Sequence, residues 1–411
     1  MIVQTDAVIC GAGPAGSTAA ILLARAGWSV VIVEKHGFPR RKVCGECIAA
    51  SNFPLLEALG IQNQFAAVAG PSLTRAALML GEHTIEADLP PLERSRHPWG
   101  RALGRETLDE LLLDEARAAG AVVLQPWSVT RLARTVAGYR CTVRRTGSHA
   151  EEDLMASVAI AAHGSSEAAR AARRPSDLLA FKAHFSGADL APGLLPVLSF
   201  SGGYGGMVLS DAGRTTLACC IRADRLARLR STQPHMPAGE VVGNMLRREC
   251  AGVAMALKRA TRIGPWLACG PLDPGVHLRP EDEVFRLGNA AGEAHPIIGE
   301  GMSMAMQSAW LLCAHLLEGT PPARSRDRAW QRAIAGRYAK DWRHHFAPRL
   351  RIAALFAHAA MRPRLLAHVL PALEETRLLA RGAQWSGKIR CALDAKTTAW
   401  LALGGLRPQP E

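Results

Sequence analysis

A glycine-rich segment near the start of the chain carries its clearest chemical signal. Gly11, Gly13 and Gly16 lie between a strand predicted at residues 6–10 and a predicted helix. Glycines at this spacing allow a tight turn, let the backbone approach a diphosphate and permit close helix-on-strand packing, with the helix N-terminus facing the phosphates. Glu34 ends a second predicted strand, where a carboxylate would hold a ribose 2′-hydroxyl. The segment predicts a dinucleotide site, and the acidic residue favours FAD or NAD over NADP.

The composition is that of a chain able to bury its own core. With 411 residues and 48% hydrophobic content, it has room for two or three domains. We find no secretory signal before the first strand and no uncharged run as long as a membrane span, so we predict a cytoplasmic protein without a membrane span. The ten cysteines are irregularly spaced, which indicates reduced thiols rather than a disulfide framework.

The net charge of +13 is large and comes mostly from arginine. The basic residues are spread through alanine- and leucine-rich helices and are not interleaved with aromatic residues, so we predict no nucleic-acid partner. The charge therefore either reflects composition alone or matches an acidic protein or small-molecule partner.

Hydrophobic periodicity predicts alternating strands and helices, then a second sheet and a helical end. Buried strands are predicted at residues 29–33, 122 onward, 139–144, 154–162 and 285–288, and helices at 51–59, 105–119 and 301–317. Residues 72–98 are predicted as exposed strands with proline-rich turns, and the glycine-rich residues 178–222 as a second, antiparallel sheet. From residue 324 the pattern is helical, with breaks at Pro363 and Pro371.

Separated segments of the sequence resemble the FAD-dependent monooxygenase superfamily that has the p-hydroxybenzoate hydroxylase fold. They are the glycine segment, the loop at 38–47, the helix start at 104–109, and residues 288–296 and 299–301. The Cys-Gly-Glu sequence at 44–46 is similar to the branch that holds geranylgeranyl reductases, flavin halogenases and the flavoproteins that mature tryptophylquinone cofactors, as in quinohemoprotein amine dehydrogenase. Residues 162–165, 181–185, 202–206 and 301–306 are most similar to that last group.

The resemblance, which spans residues 1 to about 320, implies an α/β fold. A Rossmann-type FAD-binding domain of the glutathione reductase kind would be interleaved with an antiparallel β-sheet substrate domain and followed by a helical C-terminal region. The implied FAD-binding domain is discontinuous. It comprises residues 1–71, 99–176 and 275–323, the substrate domain comprises residues 72–98 and 177–274, and the helical region comprises residues 324–411.

The resemblance also implies which residues bind FAD. They are Gly11, Gly13, Ala15, Gly16, Glu34, Lys35, Arg41, Cys44, Gly45, Arg105, Asn289, Pro296, Gly299, Gly301 and Met302. Arg41 and Arg105 would lie along the diphosphate and ribityl chain, while residues 296–301 would present N–H groups and a helix N-terminus to the anionic reduced flavin. Asn289 stands where the superfamily usually has aspartate. His163-Gly164 replaces the Asp-Gly pair of many single-component hydroxylases, so the electron source is either NAD(P)H directly or a separate flavin reductase.

Cys44 and Cys47 lie in the loop that the resemblance places beside the flavin ring. Their CxxC spacing fits a redox pair, a covalent flavin tether or two cysteines that pack the loop. Because no second pair stands at zinc-ligand spacing, we predict no metal site.

The activity that the resemblance implies is hydroxylation of an electron-rich aromatic ring through a flavin C4a-hydroperoxide. One such ring is a tryptophan of a protein subunit on the way to a quinone cofactor, and an acidic protein substrate, docked partly on the helical tail beyond residue 325, would match the net charge. The catalytic candidates near the ring are Glu46, Glu300, His184 and His295, and Tyr204 would line the substrate cavity.

Three other activities stay open from the sequence. A flavin halogenase would need a lysine between flavin and substrate, and the Trp-x-Trp-x-Ile-Pro stretch of the tryptophan halogenases is absent. A prenyl or polyene reductase of the geranylgeranyl type would have a long apolar tunnel. A non-catalytic FAD-bearing chaperone would bind an apo-protein without turnover.

Overall fold

The fold is that of a computed structural model, which describes residues 3–93, 95–165, 176–278, 284–318 and 327–368. The strands are β1 (Val3–Cys10), β2 (Val30–Val33), β3 (Cys47–Ile48), β4 (Arg75–Leu80), β5 (His83–Asp88), β6 (Arg101–Ala102), β7 (Val122–Leu124), β8 (Trp127–Thr135), β9 (Gly138–Arg145), β10 (Glu151–Ala161), β11 (Leu178–Ser186), β12 (Leu194–Phe200), β13 (Gly203–Leu209), β14 (Thr215–Arg222), β15 (Thr261–Cys269), β16 (Gly275–Val276), β17 (Phe285–Arg286) and β18 (Gly292–Glu293).

The helices are α1 (Pro14–Arg25), α2 (Phe53–Ala58), α3 (Gln62–Val68), α4 (Arg105–Ala118), α5 (Ala223–Ser231), α6 (Ala238–Glu249), α7 (Ala251–Ala256), α8 (Gly301–Leu317) and α9 (Arg328–Ala360). None of the helices in the described ranges combines the length and apolar character needed to span a bilayer.

The first sheet is mainly parallel and positions the glycine segment. Its order is β7-β2-β1-β10-β9-β8, with β17 beside the end of β10, and β1 pairs in parallel with β2 and β10. Val8 and Ile9 are fully buried on opposite faces of β1, as expected for a central parallel strand. α1 begins at Pro14, which fits the first helical turn, and stops before Gly27, whose φ of 81° suits glycine. The ends of β1 and β2 therefore meet the N-terminus of α1 at one edge of the sheet.

The second sheet has the order β15-β11-β14-β13-β12-β4-β5. Because side chains alternate along a strand, its two faces have different partners. The outer face, which includes Phe181 and Leu217, packs against α6 and α7 through residues such as Val242 and Val253. The opposite face, called the inner face below, packs against the loop at 43–47, against Ile297 and against the end of α9.

The 33-residue helix α9 connects the two sheets. Tyr338, Trp342 and Phe346 are buried in the same core as α1 and α8. Ala357 and Ala360, near the end of the helix, pack against the inner face of the second sheet. The helix thus fixes the position of one sheet relative to the other.

Several predicted elements need correction. The strand β4, predicted as exposed, has its last four residues buried, and it pairs in parallel with β12, so the second sheet is not wholly antiparallel. The strand β8 was missing from the predicted elements because arginines on its exposed side obscure the alternation. The predicted helix at 51–59 is a 3-10 turn followed by α2. α9 continues through Pro348, the helical pattern does break before Pro363, and Pro371 lies outside the described residues.

Candidate active site

Two of the fingerprint glycines are required by close packing at the edge of the first sheet. A Cβ at Gly11, where φ is +110°, would lie 2.6 Å from the carbonyl oxygen of Ala162. A Cβ at Gly16 would lie 1.9 Å from the carbonyl oxygen of Gly11. A side chain at Gly16 would push α1 away from the end of β1, and one at Gly11 would push the glycine turn away from the segment that follows β10, so these glycines set the position of the turn and of the helix N-terminus.

Gly13 has a different role, since its backbone is open on one side. The nearest atoms to a Cβ there are the guanidinium nitrogens of Arg105, at 3.6 Å, and Arg40, at 3.7 Å. Both guanidinium groups share Asp109, with Arg105 at 2.7 and 2.8 Å and Arg40 at 3.3 Å. Burial and then the charges of Arg105 and Arg40 lower the pKa of Lys42 to about 8. Two guanidinium groups and a helix N-terminus therefore converge on the half-buried Gly13, with the ammonium of Lys42 near enough to be affected by their charges, an arrangement that fits a diphosphate.

Glu34 ends β2 with its carboxylate buried. One oxygen accepts from the N–H of Ala12 at 2.9 Å, and the other accepts from the N–H of His36 at 2.9 Å and from Arg40 at 2.8 Å. This places the carboxylate beside the glycine turn, where a ribose would follow the diphosphate. The arrangement fits the adenosine half of FAD.

Arg40 lies near the glycine turn together with Arg105, whereas Arg41 points elsewhere in the structure. Arg41 donates to Glu106 at 2.9 Å and points to Gly264 on β15 in the second sheet. Side chains of consecutive residues in an extended loop point to opposite sides, so the basic run could not distinguish the two.

Three other predicted FAD residues and Asn289 differ in their surroundings. The amide of Asn289 donates to Ser165 at 2.8 Å and to Glu293 at 3.3 Å. Ala15 and Met302 are buried in the core beneath the cleft, whereas Lys35 is exposed.

Two segments face each other where the flavin ring is expected. A Cβ at Gly299 would lie 3.3 Å from the Cβ of Cys47, whereas a Cβ at Gly45 or Gly301 would meet nothing within 4 Å. The thiol of Cys47 donates to the carbonyl of Gly45 at 3.3 Å, and the sulfur of Cys44 accepts from the N–H of Glu46 at 3.4 Å. Both cysteines are free thiols whose contacts stabilise the loop, which favours the packing interpretation.

Glu46 is the centre of a buried polar cluster between the loop and the inner face. It is fully buried, and its φ of 61° is left-handed, which costs a non-glycine residue about 1–2 kcal/mol. One carboxylate oxygen contacts the ammonium of Lys182 and the Nε2 of His184, the latter at 3.3 Å. The other accepts from the hydroxyl of Thr216 at 2.5 Å. These contacts, from two strands of the second sheet, hold the loop in its strained conformation.

The charge of Glu46 is maintained by its neighbours. Burial alone would raise the pKa of the Glu46 carboxyl, but the hydrogen bond with His184 and the charge of Lys182 together hold it well below its usual range. The ammonium of Lys182 also donates to the carbonyl of Lys42 at 3.2 Å. Glu106 comes close as well. One carboxylate oxygen of Glu46, one of Glu106 and one ring nitrogen of His184 all lie within 4.8 Å of one another. Lys182 and Arg41 supply the positive charge there, so the cluster is balanced by side chains.

A row of small side chains crosses the inner face beside this cluster. Lys182 pairs with Ala218, Ala218 with Gly206, and Gly206 with Val197 across four neighbouring strands. Ala218, Gly206 and Val197 are half-buried, whereas the inward residues on either side of them along their strands are buried. We call the row Val197, Gly206 and Ala218 the trough. It has Lys182 at one end.

The trough is bordered by the two segments that face each other where the flavin ring is expected. On one side of it, the next inward residue of β13 is Tyr204, which is bonded to His295 at 3.0 Å. On the other side the next inward residue is Val208, which packs with Cys47. The trough therefore lies between the loop at 44–47 and the segment that begins at His295.

The other two predicted catalytic residues have buried partners. Burial, and then the nearby charge of His358, lower the pKa of His295 to about 4, so its ring is neutral at neutral pH. Burial raises the pKa of Tyr204 well above its usual range, so its hydroxyl is protonated, and it shares a hydrogen bond with Nδ1 of His295. Glu300 is buried at the N-terminus of α8, with an oxygen 3.8 Å from Arg349 of α9. A carboxylate is favoured at that helix end.

The structure adds residues that the sequence did not single out. Arg40 and Lys42 join the diphosphate end, and their signal was the basic run at 40–42. Lys182 and Thr216 join Glu46 and His184, but no local pattern marks them, because they come from strands paired only in the folded sheet.

Comparisons with known proteins identify the class. Residues 4–184 match the family described as FAD binding domain. A tryptophan 2-halogenase of Chondromyces crocatus is 36% identical over 129 residues, which are 31% of this chain and 24% of that protein. A menaquinone reductase of Mycobacterium tuberculosis is 35% identical over 121 residues, 29% of each chain. The match thus spans only about a quarter of the length of these relatives.

Solved structures extend the likeness to the whole chain. The flavin-dependent brominase Bmp2 superposes with a TM-score of 0.73 at 18% identity, covering 97% of both chains. PqsL, a probable FAD-dependent monooxygenase from Pseudomonas aeruginosa, superposes with a TM-score of 0.63 at 20% identity, covering 93% of this chain and 99% of that one. Residues 4–184 are thus similar to an FAD-binding domain, and the chain shares the fold of a flavin-dependent brominase and of a probable FAD-dependent monooxygenase.

Proposed function

We propose that the chain is an FAD-dependent monooxygenase that adds a hydroxyl group to an electron-rich aromatic ring, such as a tryptophan of a protein subunit maturing toward a quinone cofactor. The trough carries the proposal, because it offers an uncharged floor of small side chains between the two segments that face the flavin position. FAD, when bound, supplies the oxygen activation. One oxygen atom of O₂ enters the ring and the other leaves as water, with two electrons from NAD(P)H, directly or through a flavin reductase.

His184 is the best placed proton acceptor for the ring. It lies on the inner face two residues from Lys182, and its Nε2 is held by the permanently ionised Glu46. A carboxylate that fixes an imidazole is a recurrent way to orient a general base. Glu46 itself is a positioning residue, since its oxygens already accept from Lys182 and Thr216.

The test is turnover of tryptophan-containing peptides and of indoles under labelled O₂, with mass spectrometry of the product. We expect one labelled oxygen atom in the ring. Ala218→Leu, which fills the trough, should abolish product and keep FAD, while Ala67→Leu at an exposed helix position should keep both product formation and FAD. His184→Gln should keep FAD and lower kcat by about 10²-fold or more. Flavin reduction and reoxidation without oxygen transfer to any ring would refute the proposal.

A flavin halogenase is the second candidate, favoured by the buried ammonium of Lys182 at the end of the trough. The tryptophan 2-halogenase and brominase likenesses support it. The same assay with added chloride or bromide separates the two activities. Halogen instead of oxygen in the product, lost in Lys182→Met, would establish this candidate and overturn the first.

A further inference from the structure

A basic cavity opens at the far end of the inner face from the Glu46 cluster. It has a volume of about 280 Å³. Its walls are formed by the start of β11, the turn between β12 and β13, the end of β14 and the end of α9. The lining residues are Ser176, Asp177, Leu178, Gly202, Arg222, Pro274, His295, His358, Met361 and Arg362. The cavity shares His295 with the border of the trough, whereas its other lining residues have no part in the ring chemistry described above.

The lining carries more positive than negative charge. Asp177, the only carboxylate among the described lining residues, already pairs with Arg222 at 3.0 Å. Arg362 donates to the carbonyl of His358 at 2.8 Å, and within the described ranges no carboxylate lies within 4.0 Å of it. A guanidinium beside a cavity without a carboxylate partner is suited to bind one from a ligand, because the planar donors match two carboxylate oxygens.

Exposed apolar side chains flank the same cavity. Leu355 is 68% exposed and stands three residues before His358 on α9, hence on the same side of the helix. Leu365 is 64% exposed and follows Arg362 by one turn. Exposed apolar side chains next to cationic groups can contact the apolar part of a ligand whose carboxylate pairs with the arginine. Together they favour a ligand that has both carboxylates and apolar side chains.

We propose that this cavity docks an acidic, partly apolar polypeptide segment, one of whose carboxylates pairs with Arg362. The overall charge of +13 would steer such a partner to the surface. The cavity is separated from the trough by the buried row that contains Tyr204, and Gly202 lies four residues from Gly206, about 13 Å along the strand. The docked carboxylate is therefore too distant to belong to a small aromatic acid whose ring lies in the trough. The inference rests on the proposed function only where it takes the docked segment to be part of the substrate. The docking itself is measured without turnover.

The test is fluorescence anisotropy with a labelled peptide of Glu, Asp, Leu and Trp residues, and with the same peptide carrying Gln and Asn in place of the acids. We expect the acidic peptide alone to bind, more weakly as salt rises. Arg362→Gln should weaken binding at least about tenfold. Arg351→Gln, at an exposed arginine of α9 outside the cavity, should leave it unchanged.

The proposal would be overturned if the two peptides bound equally, if neither of them bound, or if the two arginine variants lost affinity for the acidic peptide to the same extent. If citrate displaced the labelled peptide at concentrations below that of the peptide, the cavity would be a site for small anions, and the proposal would be overturned as well. If Arg362→Gln does not fold, His358→Gln tests the same cavity, and unchanged affinity would count against docking there. Loss of ring oxygenation with peptide binding intact would refute the proposed function alone.

Discussion

The variant Lys182→Met tests whether the buried ion pair between Lys182 and Glu46 stabilises the loop at 44–47. Lys182 is 1% and Glu46 0% exposed, so removing the ammonium leaves a buried carboxylate that keeps His184, the Thr216 hydroxyl and the N–H of Arg105 as neighbours but has lost its ammonium partner. Breaking a buried pair in this way costs about 3–5 kcal/mol of unfolding free energy. Lys182→Met combined with Glu46→Gln removes both charges and should recover most of that loss, whereas Lys340→Met, at an exposed position, should cost less than about 0.5 kcal/mol.

Urea unfolding at pH 7.5, followed by tryptophan fluorescence, measures these differences. The pH dependence gives a second readout. Because the pKa of Glu46 is lowered by folding, its contribution is complete above the ordinary glutamate pKa of about 4.3 and is lost as the pH falls below that value. The difference between the wild type and Lys182→Met should therefore shrink on acidification below about pH 4.3. A loss below about 1 kcal/mol at neutral pH, or a double variant less stable than either single one, would refute the reasoning.

Two further predictions concern the cofactor cleft and its border. Glu34→Gln should weaken FAD binding about tenfold or more, because it replaces a charged acceptor by a neutral one, and titration of the apoprotein with FAD measures it. His295 should titrate near pH 4 by NMR, because burial and the charge of His358 lower its pKa; a midpoint near 6.5 would contradict the Tyr204–His295 hydrogen bond as described. The lowered pKa also means that the fold loses stability as the pH falls below about 6.5, where the unfolded state takes up the proton.

The parts of the fold that the sequence predicts best are those fixed by local chemistry. The glycine turn, the start of α4 at Arg105 and the full extent of α8 agree with the prediction, since each depends on neighbouring residues alone. The parallel pairing of β4 with β12 depends on residues more than a hundred positions apart, so no local pattern could indicate it. For the same reason, Glu46 and His184 could be named as candidates, but Lys182 and Thr216 could not be assigned to them.

The buried charges are concentrated at the contact between the two sheets, where they constrain geometry. Gly45 gives the loop backbone freedom. The next residue, Glu46, adopts a left-handed conformation that is unfavourable for a residue with a side chain. The carboxylate can occupy that position only while β11 and β14 supply their donors. A displacement of the second sheet would expose or unpair Glu46, at a cost of several kcal/mol. The loop beside the expected flavin position and the sheet that forms the trough are therefore held as one unit, as the proposed transfer of an oxygen atom between cofactor and substrate would require.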